Sequence, residues 1–559
     1  MSDKTAVSGD NGTQKKSFLK KAQGIGISTL LVMIGLMFSK ATGFLRDAFV
    51  ANNFSGVYRE SFTLAFTIPD LFYNLLIGGS IQSAVTPSLS GWIAKGEEKK
   101  GMNVVSIFIS VFAVIMFVVC TAGVIFSEPI FSSYEWITRL LEKAVGVNSG
   151  EATSSEIIYL ASQAAKWLFP QIFFMMLAAL SIGILNAYRR FSSTAFGPTV
   201  YNVFVLLAII FFAGNSQTEL MRCTAGVMGA AVIYFLFQYI IGFDKLKLIR
   251  FNFKPNDSEF IKLFKRALPV LISASIVQIN LVVLNNFALL FNNSVSALRY
   301  ASTIWQLPYG IFAVGVGNVM LPSLAGMFEK GDFKEASSFL TARLRTALFM
   351  TIPSAVFVFL FSDQLVAAIY QWSSSYTQDD ASKAGTFLTG YAIAIITHTV
   401  VFIMNQAFYA IGNTKIPLLS GVISLILNPL TCIFLIRYIG MGAFALTLAY
   451  SFTSIVQMIL LVVLYCRNKD LKVQNIGKFL LKASVSSVIP GVIAFLIFDN
   501  TYSLFAGKGK LIQLSVLAAF GIGFILIYFL LAYLFKMDES KFWIDKVLSK
   551  LGRKARKQN

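Results

Sequence analysis

Residues 512–535 read IQLSVLAAFGIGFILIYFLLAYLF, with no charged side chain among them. A helix of about 20 apolar residues crosses the roughly 30 Å hydrocarbon core of a bilayer, and it satisfies its own backbone hydrogen bonds where no water can. The run 29–39, TLLVMIGLMFS, has the same character near the other end of the chain. Of the 559 residues, 56% are hydrophobic and 13% charged, whereas a soluble domain carries about 25% charged residues. So much apolar side chain exceeds what a soluble fold of this mass buries, and lipid must take the remainder. The pattern predicts an all-α integral membrane protein with about fourteen transmembrane helices. They fall near 25–50, 61–93, 102–126, 157–187, 196–214, 223–243, 266–291, 295–328, 342–371, 384–411, 415–437, 440–466, 478–498 and 511–535.

The net charge is +20. Its Lys and Arg residues collect in alternate loops instead of interleaving with aromatic residues on a polar surface, which points to membrane topology and away from nucleic acid. The basic loops are 95-KGEEKKG-101, Arg189–Arg190, 245-KLKLIRFNFKPN-256, the stretch with Lys330, Lys334, Arg343 and Arg345, and 467-RNKDLKVQ-474. The opposite loops hold Arg139 and Lys143, Lys383, and Lys508 and Lys510. Cationic loops stay in the cytoplasm, so both termini are expected there. Residues 1–24 are polar and basic, and no cleavage site follows the first apolar run, which is expected to remain as span 1. Segment 129–146 suits an interfacial helix on the outer side. In 537–559, Ile544, Val547, Leu548 and Leu551 form one stripe among cations, as in a helix lying on an anionic inner leaflet. Cys120, Cys223, Cys432 and Cys466 lie in or at the ends of apolar spans without paired spacing, and predict buried thiols, with neither a metal site nor disulfides.

The chain repeats itself. 86-TPSLSGWIAKGE-97 returns as 321-LPSLAGMFEKGD-332, and 186-NAYRRFSSTAFGP-198 more weakly as 405-NQAFYAIGNTKIP-417, at separations of 235 and 219 residues. An even number of spans lies between the copies, so the halves share an orientation. That predicts two parallel-repeat lobes around a central cavity, with a transporter's substrate site at the repeat interface. The expected division is a cytoplasmic tail 1–24, a first lobe 25–243 with spans 1–6, a second lobe 244–466 with spans 7–12, two C-terminal spans in 467–536, and a basic amphipathic tail 537–559.

Ionisable side chains inside spans are costly and mark function. Here they are Lys40, Arg46 and Asp47 in span 1, Glu60 and Asp70 around span 2, Lys166, Arg299 and His398. Lys40 and Asp47 fall about 20° short of two full turns and share a face, with Arg46 about 120° away. Gly43 is placed to bend or unwind the segment and turn all three inward; a structural Lys–Asp or Arg–Asp pair is the alternative. Arg299 and Lys166 lie near span ends, within snorkelling reach, and His398 reads as a neutral imidazole hydrogen-bonded to a neighbour. Fixed cations in a membrane interior favour an anion, Arg suiting phosphate geometry and Lys acting as a point charge. No H-x-E, Cys pair, dense carboxylate cluster or Walker motif occurs, so the residues predict a transporter without cofactor, and not an enzyme.

The stretches 38-FSKATGFLRDAFVANNFSG-56, 64-LAFTIPDLFYNLLIGGSIQSAVTPSL-89 and 308-PYGIFAVGVGNVMLPSLAGMF-328 resemble the MurJ (MviN-type) lipid II flippases of the multidrug/oligosaccharidyl-lipid/polysaccharide exporter superfamily. The resemblance implies a V-shaped two-lobe transporter in the bacterial cytoplasmic membrane. It would carry a polyprenyl-pyrophosphate-linked disaccharide-pentapeptide, the peptidoglycan precursor, from inner to outer leaflet. Alternating access would be coupled to an ion gradient or the membrane potential. The resemblance also implies that Lys40, Arg46 and Asp47 line the cavity and that Glu60 holds an acidic position. The family usually has Arg where this chain has Tyr73 and Asn74, and again at Thr303; Arg299, one turn earlier on nearly the same face, is the expected substitute. The expected site is therefore Lys40, Arg46 and Arg299 on the pyrophosphate, with Asp47, Glu60, Thr303 and Asn74 in support. The expected partners are the lipid-linked glycan and membrane lipids, with cell-wall synthesis proteins left open. Another lipid-linked polysaccharide unit, a cation-coupled multidrug exporter and a non-transporting cell-wall scaffold remain as alternatives.

Overall fold

A computed structural model describes residues 35, 37–76, 85–147, 151–467, 471–473, 476–501, 504–505 and 508–541. The expected tail 1–24 and all but the first residues of 537–559 lie outside them. Among the described residues the regular elements are helical. In chain order they are α1 (37–53), α2 (Gly56–Ala65), α3 (Thr67–Leu76), α4 (Thr86–Ala94), α5 (Glu98–Ile125), α6 (Ser127–Val145) and α7 (Glu151–Ala187). There follow α8 (Phe191–Phe212), α9 (Gln217–Ile241), α10 (Phe243–Leu246), α11 (Ser258–Ala288), α12 (Ser294–Pro308), α13 (Gly315–Glu329) and α14 (Phe333–Leu360). The last are α15 (Ser362–Tyr370), α16 (Gln378–Ala410), α17 (Lys415–Phe434), α18 (Ala445–Cys466), α19 (Ile476–Thr501) and α20 (Lys510–Leu534). Eleven helical stretches among the described residues are long and apolar enough to cross a membrane. They match the expected spans except those near 25–50, 61–93 and 266–291. The first two of these include residues outside the described set, and the third contributes a shorter apolar helix, Ile276–Ala288.

Two compact units interleave along the chain. One comprises residues 1–53, 68–128 and 162–274, the other 54–67, 129–161 and 275–559. In the first unit α8 and α9 touch through small residues: a Cβ on Gly226 would lie 2.7 Å from that of Ala208, and one on Gly197 2.0 Å from Gln238 Nε2. Close backbone approach of this kind gives membrane helices van der Waals contact that hydrophobicity cannot supply in lipid. In the second unit α16 is the most enclosed span. Gly390 admits α18 so closely that a Cβ there would lie 2.0 Å from Thr447 Oγ1. Ser451 Oγ donates to Gly390 O at 2.5 Å, and the hydroxyls of Thr397 and Ser454 share a hydrogen bond of 2.5 Å. Thr447, Ser451 and Ser454 stand at i, i+4 and i+7, one stripe of α18.

Between α12 and α13, Tyr309–Val314 winds as a π-helix, directly after Pro308, whose missing N–H breaks the α ladder. The segment expected to be an interfacial helix, 129–146, falls in α6, with Phe131, Tyr134 and Thr138 buried and Trp136 and Leu140 exposed. Arg437 Nη1 donates to Lys143 O at 3.2 Å and Ala144 O at 2.8 Å, satisfying carbonyls that the end of α6 leaves open. Three of the cysteines are buried, but Cys466, at the end of α18, is exposed.

The stronger sequence repeat is also a repeat of backbone hydrogen bonds. Glu97 N donates to Trp92 O at 2.8 Å and Asp332 N to Met327 O at 3.0 Å; Gly96 N reaches Ile93 O, and Gly331 N reaches Phe328 O, both at 3.1 Å. Gly96 (φ 76°) and Gly331 (φ 79°) both take the left-handed conformation that closes such a helix end. The weaker echo is likewise one turn used twice, but its register differs from that of the sequence match. Arg190 N donates to Leu185 O and Asn413 N to Phe408 O, each at 2.9 Å, and Arg189 (φ 61°) stands where Gly412 (φ 78°) does. The matching positions are therefore 223 residues apart. Pro198, inside α8, and Pro417, in the first turn of α17, do not correspond.

The approach of α16 to α18 predicts that Gly390→Val destabilises the protein by roughly 2–3 kcal/mol, because a branched side chain is forced into a filled contact. Gly229→Val, where an added Cβ meets nothing within 4 Å, is expected to be near neutral. Fluorescence-detected size exclusion after stepwise heating compares them; equal loss in both would remove the contact from the account.

Candidate functional site

In the first unit, α1 is unbroken from 37 to 53, so Gly43 does not unwind it. The glycine faces α8: a Cβ there would make an ordinary contact at 3.5 Å with Asn202 Nδ2. Asn202 Nδ2 donates to Ser39 O at 3.1 Å, and Asn202 Oδ1 accepts from Arg46 Nη1 at 3.2 Å. Asp47 pairs with its neighbour Arg46 instead of with Lys40: its Oδ1 accepts from Arg46 Nε at 2.9 Å and Nη2 at 2.7 Å. Tyr201 of α8 and Asp70 of α3 also stand close enough to act on Arg46 electrostatically. A guanidinium has five N–H groups; these bonds engage one on each nitrogen, and the Arg46 side chain keeps 22% of its surface open. Lys40, exposed, has no ion pair among the described residues. Asn74 turns back on its own helix, donating to Asp70 O at 2.8 Å. Lys166 does not simply snorkel: its Nζ reaches Glu128 Oε1 and Gln163 Oε1, each at 2.9 Å.

In the second unit, Arg299 of α12 is half-buried, with no ion pair among the described residues. Thr303 Oγ1 donates to Arg299 O at 3.0 Å. His398 is packed by rings and makes no side-chain hydrogen bond among the described residues, against expectation: it stacks on Tyr450 at 5.0 Å and lies 5.4 Å from Trp305 and 6.1 Å from Tyr309.

Glu60 does not stand alone. Its carboxylate accepts from Val295 N at 2.8 Å, Ser296 N at 3.0 Å and the Ser296 hydroxyl, so it caps the N-terminus of α12 from another helix. Carboxylates there meet the positive end of the helix dipole and its unpaired N–H groups. The residue at the usual cap position, Asn293 (φ 54°), makes no cap bond of its own. Its Nδ2 instead donates to Asp380 Oδ1 at 3.0 Å. Asp380 Oδ1 also takes Arg59 Nη2 at 2.7 Å, with Arg59 1% exposed, and the Arg59 guanidinium lies 4.9 Å over the Tyr376 ring. Asp380 and Thr377 close a capping box on α16. Arg59, Asp380, Asn293 and Asn202 were not among the sequence candidates; Asn202 holds Arg46, and the other three bond to one another beside Glu60.

A family model described as "MurJ: Lipid II flippase MurJ" matches residues 51–516. The chain belongs to the MurJ family. Within the matched residues lie Glu60, Asn74, Arg299 and Thr303; Lys40, Arg46 and Asp47 precede them. A MurJ relative, the probable lipid II flippase MurJ of Rhizobium tropici, is 27% identical over 530 residues, 93% of this chain and 94% of its own. The fold is similar to a solved lipid II flippase MurJ in an inward closed conformation, with a TM-score of 0.70 at 22% identity, covering 91% of this chain and 99% of that one. It is also similar to an inward-facing multidrug resistance MATE family transporter of the MOP superfamily, with a TM-score of 0.64 at 14% identity over 78% and 98% of the two chains. The protein is thus an all-helical, multi-pass membrane protein with the transporter fold that MurJ and MATE proteins share.

The buried network of this MurJ-family chain predicts an ordered series of losses. Asp380→Ala strands the Arg59 charge and costs about 3–5 kcal/mol. Glu60→Ala leaves the donors of Val295 and Ser296 unmade and costs about 1–3 kcal/mol. Glu60→Gln, which keeps an acceptor, costs less than either. Thermal unfolding of the purified proteins in detergent measures the order; Asp380→Ala at wild-type stability would show that the pair carries no such load.

Proposed function

We propose that this protein is a flippase for a polyprenyl-pyrophosphate-linked glycan, with the peptidoglycan precursor lipid II as its substrate. It moves the lipid from the inner to the outer leaflet of the bacterial inner membrane by alternating access. An ion gradient or the membrane potential drives the cycle. The observation that carries the reading is Arg46. Asp47 and Asn202 fix its guanidinium with one N–H spent on each nitrogen, and two N–H groups remain for a ligand, about 9 Å along α1 from Lys40, which has no ion pair among the described residues. A diphosphate that sheds water in a low dielectric needs fixed donors and positive charge in its place. One oriented and one free cation offer both, and the same reading gives Arg299, in the second unit, a pyrophosphate-binding role in place of the family's arginine at Thr303. A carrier for cationic drugs would need an unspent carboxylate in span 1, and Asp47 is committed to Arg46.

In a depletion strain, Arg46→Ala is expected to abolish complementation at normal protein level. Lys40→Ala reduces it, and Lys40→Arg does not. Arg299→Ala is severe, and adding Thr303→Arg, about 6 Å along the helix, recovers part of the activity. Mass spectrometry of accumulated polyprenyl-linked intermediates names the cargo: a glycan other than lipid II overturns that assignment, and a silent Arg299→Ala removes Arg299 from the site.

The same reading places both termini in the cytoplasm, because the basic loops sit on that side. Cysteines introduced in 245–256 and 467–474 should be unreactive to an impermeant thiol reagent in intact cells, and those in 373–381 and 499–507 should react. The opposite pattern would reverse the direction of transport.

A further inference from the structure

The segment between α9 and α11 has features that the transport reading does not use. Residues 249–254 contain no helix and are fixed to α5 through their backbone. Arg250 N donates to Ser106 Oγ at 3.3 Å, and Asn252 N to Ser110 Oγ at 2.8 Å. The Asn252 side chain adds a bond to Asn103 Oδ1 at 3.0 Å. Donors from alternate residues are those of an extended chain, which puts the intervening side chains, Phe251 and Phe253, on a common side. Both rings stand in the open, Phe251 76% and Phe253 48% exposed, with Leu248 exposed beside them.

The charges around these rings are unbalanced. Lys247, Arg250 and Lys254 are exposed and have no ion pair among the described residues. The neighbouring acids are engaged elsewhere. Asp244 takes Arg190 on both oxygens at 2.6 Å, and those hydrogen bonds hold its carboxyl below the usual range. Glu98 accepts from Tyr188 at 2.6 Å and Lys245 at 3.0 Å. Asp257 accepts the N–H groups of Glu259 and Phe260 at the start of α11, and Glu259 pairs with Lys262 at 3.2 Å.

Helix α5 sets the level of this segment. Its large apolar side chains up to Phe112 are buried, apart from half-buried Ile109, and from Val114 onward exposed ones appear: Val114, Ile115, Phe117, Val118 and Ile125. Ser110 lies four residues before Val114, about 6 Å along the axis. That distance is about the thickness of one headgroup layer, so the rings sit at the edge of the lipid-facing band and not out in water. Aromatic rings and cations together at that level are what an anionic leaflet attracts.

We propose that residues 247–254 form a strap seated in an anionic leaflet, with Phe251 and Phe253 entering at the acyl boundary and Lys247, Arg250 and Lys254 binding phospholipid phosphate. The strap steadies the cationic end of α5 against the bilayer while its backbone stays tied to Ser106 and Ser110. The test uses the full chain, its four cysteines replaced, in nanodiscs of phosphatidylcholine with or without phosphatidylglycerol. A spin label at Phe251→Cys reports accessibility to oxygen and to a water-soluble nickel chelate, with a label at Phe117→Cys marking the acyl region. The expected result is a label favouring oxygen when phosphatidylglycerol is present. Lys247→Gln, Arg250→Gln and Lys254→Gln together should move it towards water and lower the phosphatidylglycerol retained in native mass spectrometry by about fivefold per charge. A label equally water-accessible with and without phosphatidylglycerol overturns the proposal. So does one sheltered from both reagents, which would mean that protein covers the strap.

Discussion

A charge buried in packed protein has no water to fall back on, and removing one member of a buried pair costs about 3–5 kcal/mol. The tightest expression of that constraint here is Arg59 with Asp380, 2.7 Å apart and with side chains 1% and 7% exposed. Several helix starts depend on it. Asp380 begins α16 through its capping box with Thr377, and Asn293, at the threshold of α12, reaches the same carboxylate. Glu60, one residue from Arg59, takes the first N–H groups of α12. One ion pair thereby fixes where α2, α12 and α16 begin relative to each other within their unit, and the aromatic packing of Tyr300, Tyr370 and Tyr376 fills the space around it.

Arg46 solves the same problem differently. Its counter-charge is the next residue, so neutralisation requires no second helix, and Asn202 adds orientation. The Arg46 side chain keeps 22% of its surface, where Arg59 keeps 1%. Both arginines are paired at 2.7 Å; what separates them is how much of each side chain stays open. The first can still meet a ligand, and the second is architecture.

How much of this was legible follows from how local each signal is. Span placement rests on run length alone, and α5, α16 and α20 fall where the apolar runs do. The repeat at 86 and 321 was readable because its turn needs a glycine in the left-handed region, and Gly96 and Gly331 supply it. The second repeat was misaligned because Arg189 takes that conformation without being glycine, so the residue that should have marked the turn was absent. Arg59 and Asp380 are partners across most of the chain, and Asp380 sits in 377-TQDDAS-382, which has the composition of a loop. Glu60 was noticed for its charge, but a carboxylate capping another helix leaves no local pattern. Asn202 is a lone amide in an apolar run, indistinguishable in sequence from one bonded to its own helix. No spacing rule anticipates that His398 packs among Trp305, Tyr309 and Tyr450.

The π-helical turn at Tyr309–Val314 has a consequence for how span 8 is compared across relatives. A turn closed by i→i+5 bonds holds one residue more than an α turn spends on the same path. Ser294–Pro308 and Gly315–Glu329 are therefore two rods whose faces are indexed differently, offset by about 100° from what a continuous α-helix would give. A heptad count begun at Arg299 loses its face beyond Tyr309, while the repeat partner of Gly331 is set by the second rod alone. The extra residue is a store of slack. A homologue one residue shorter here can lose the bulge and keep both faces as they are, so length variation at this turn leaves the chemistry of either rod untouched.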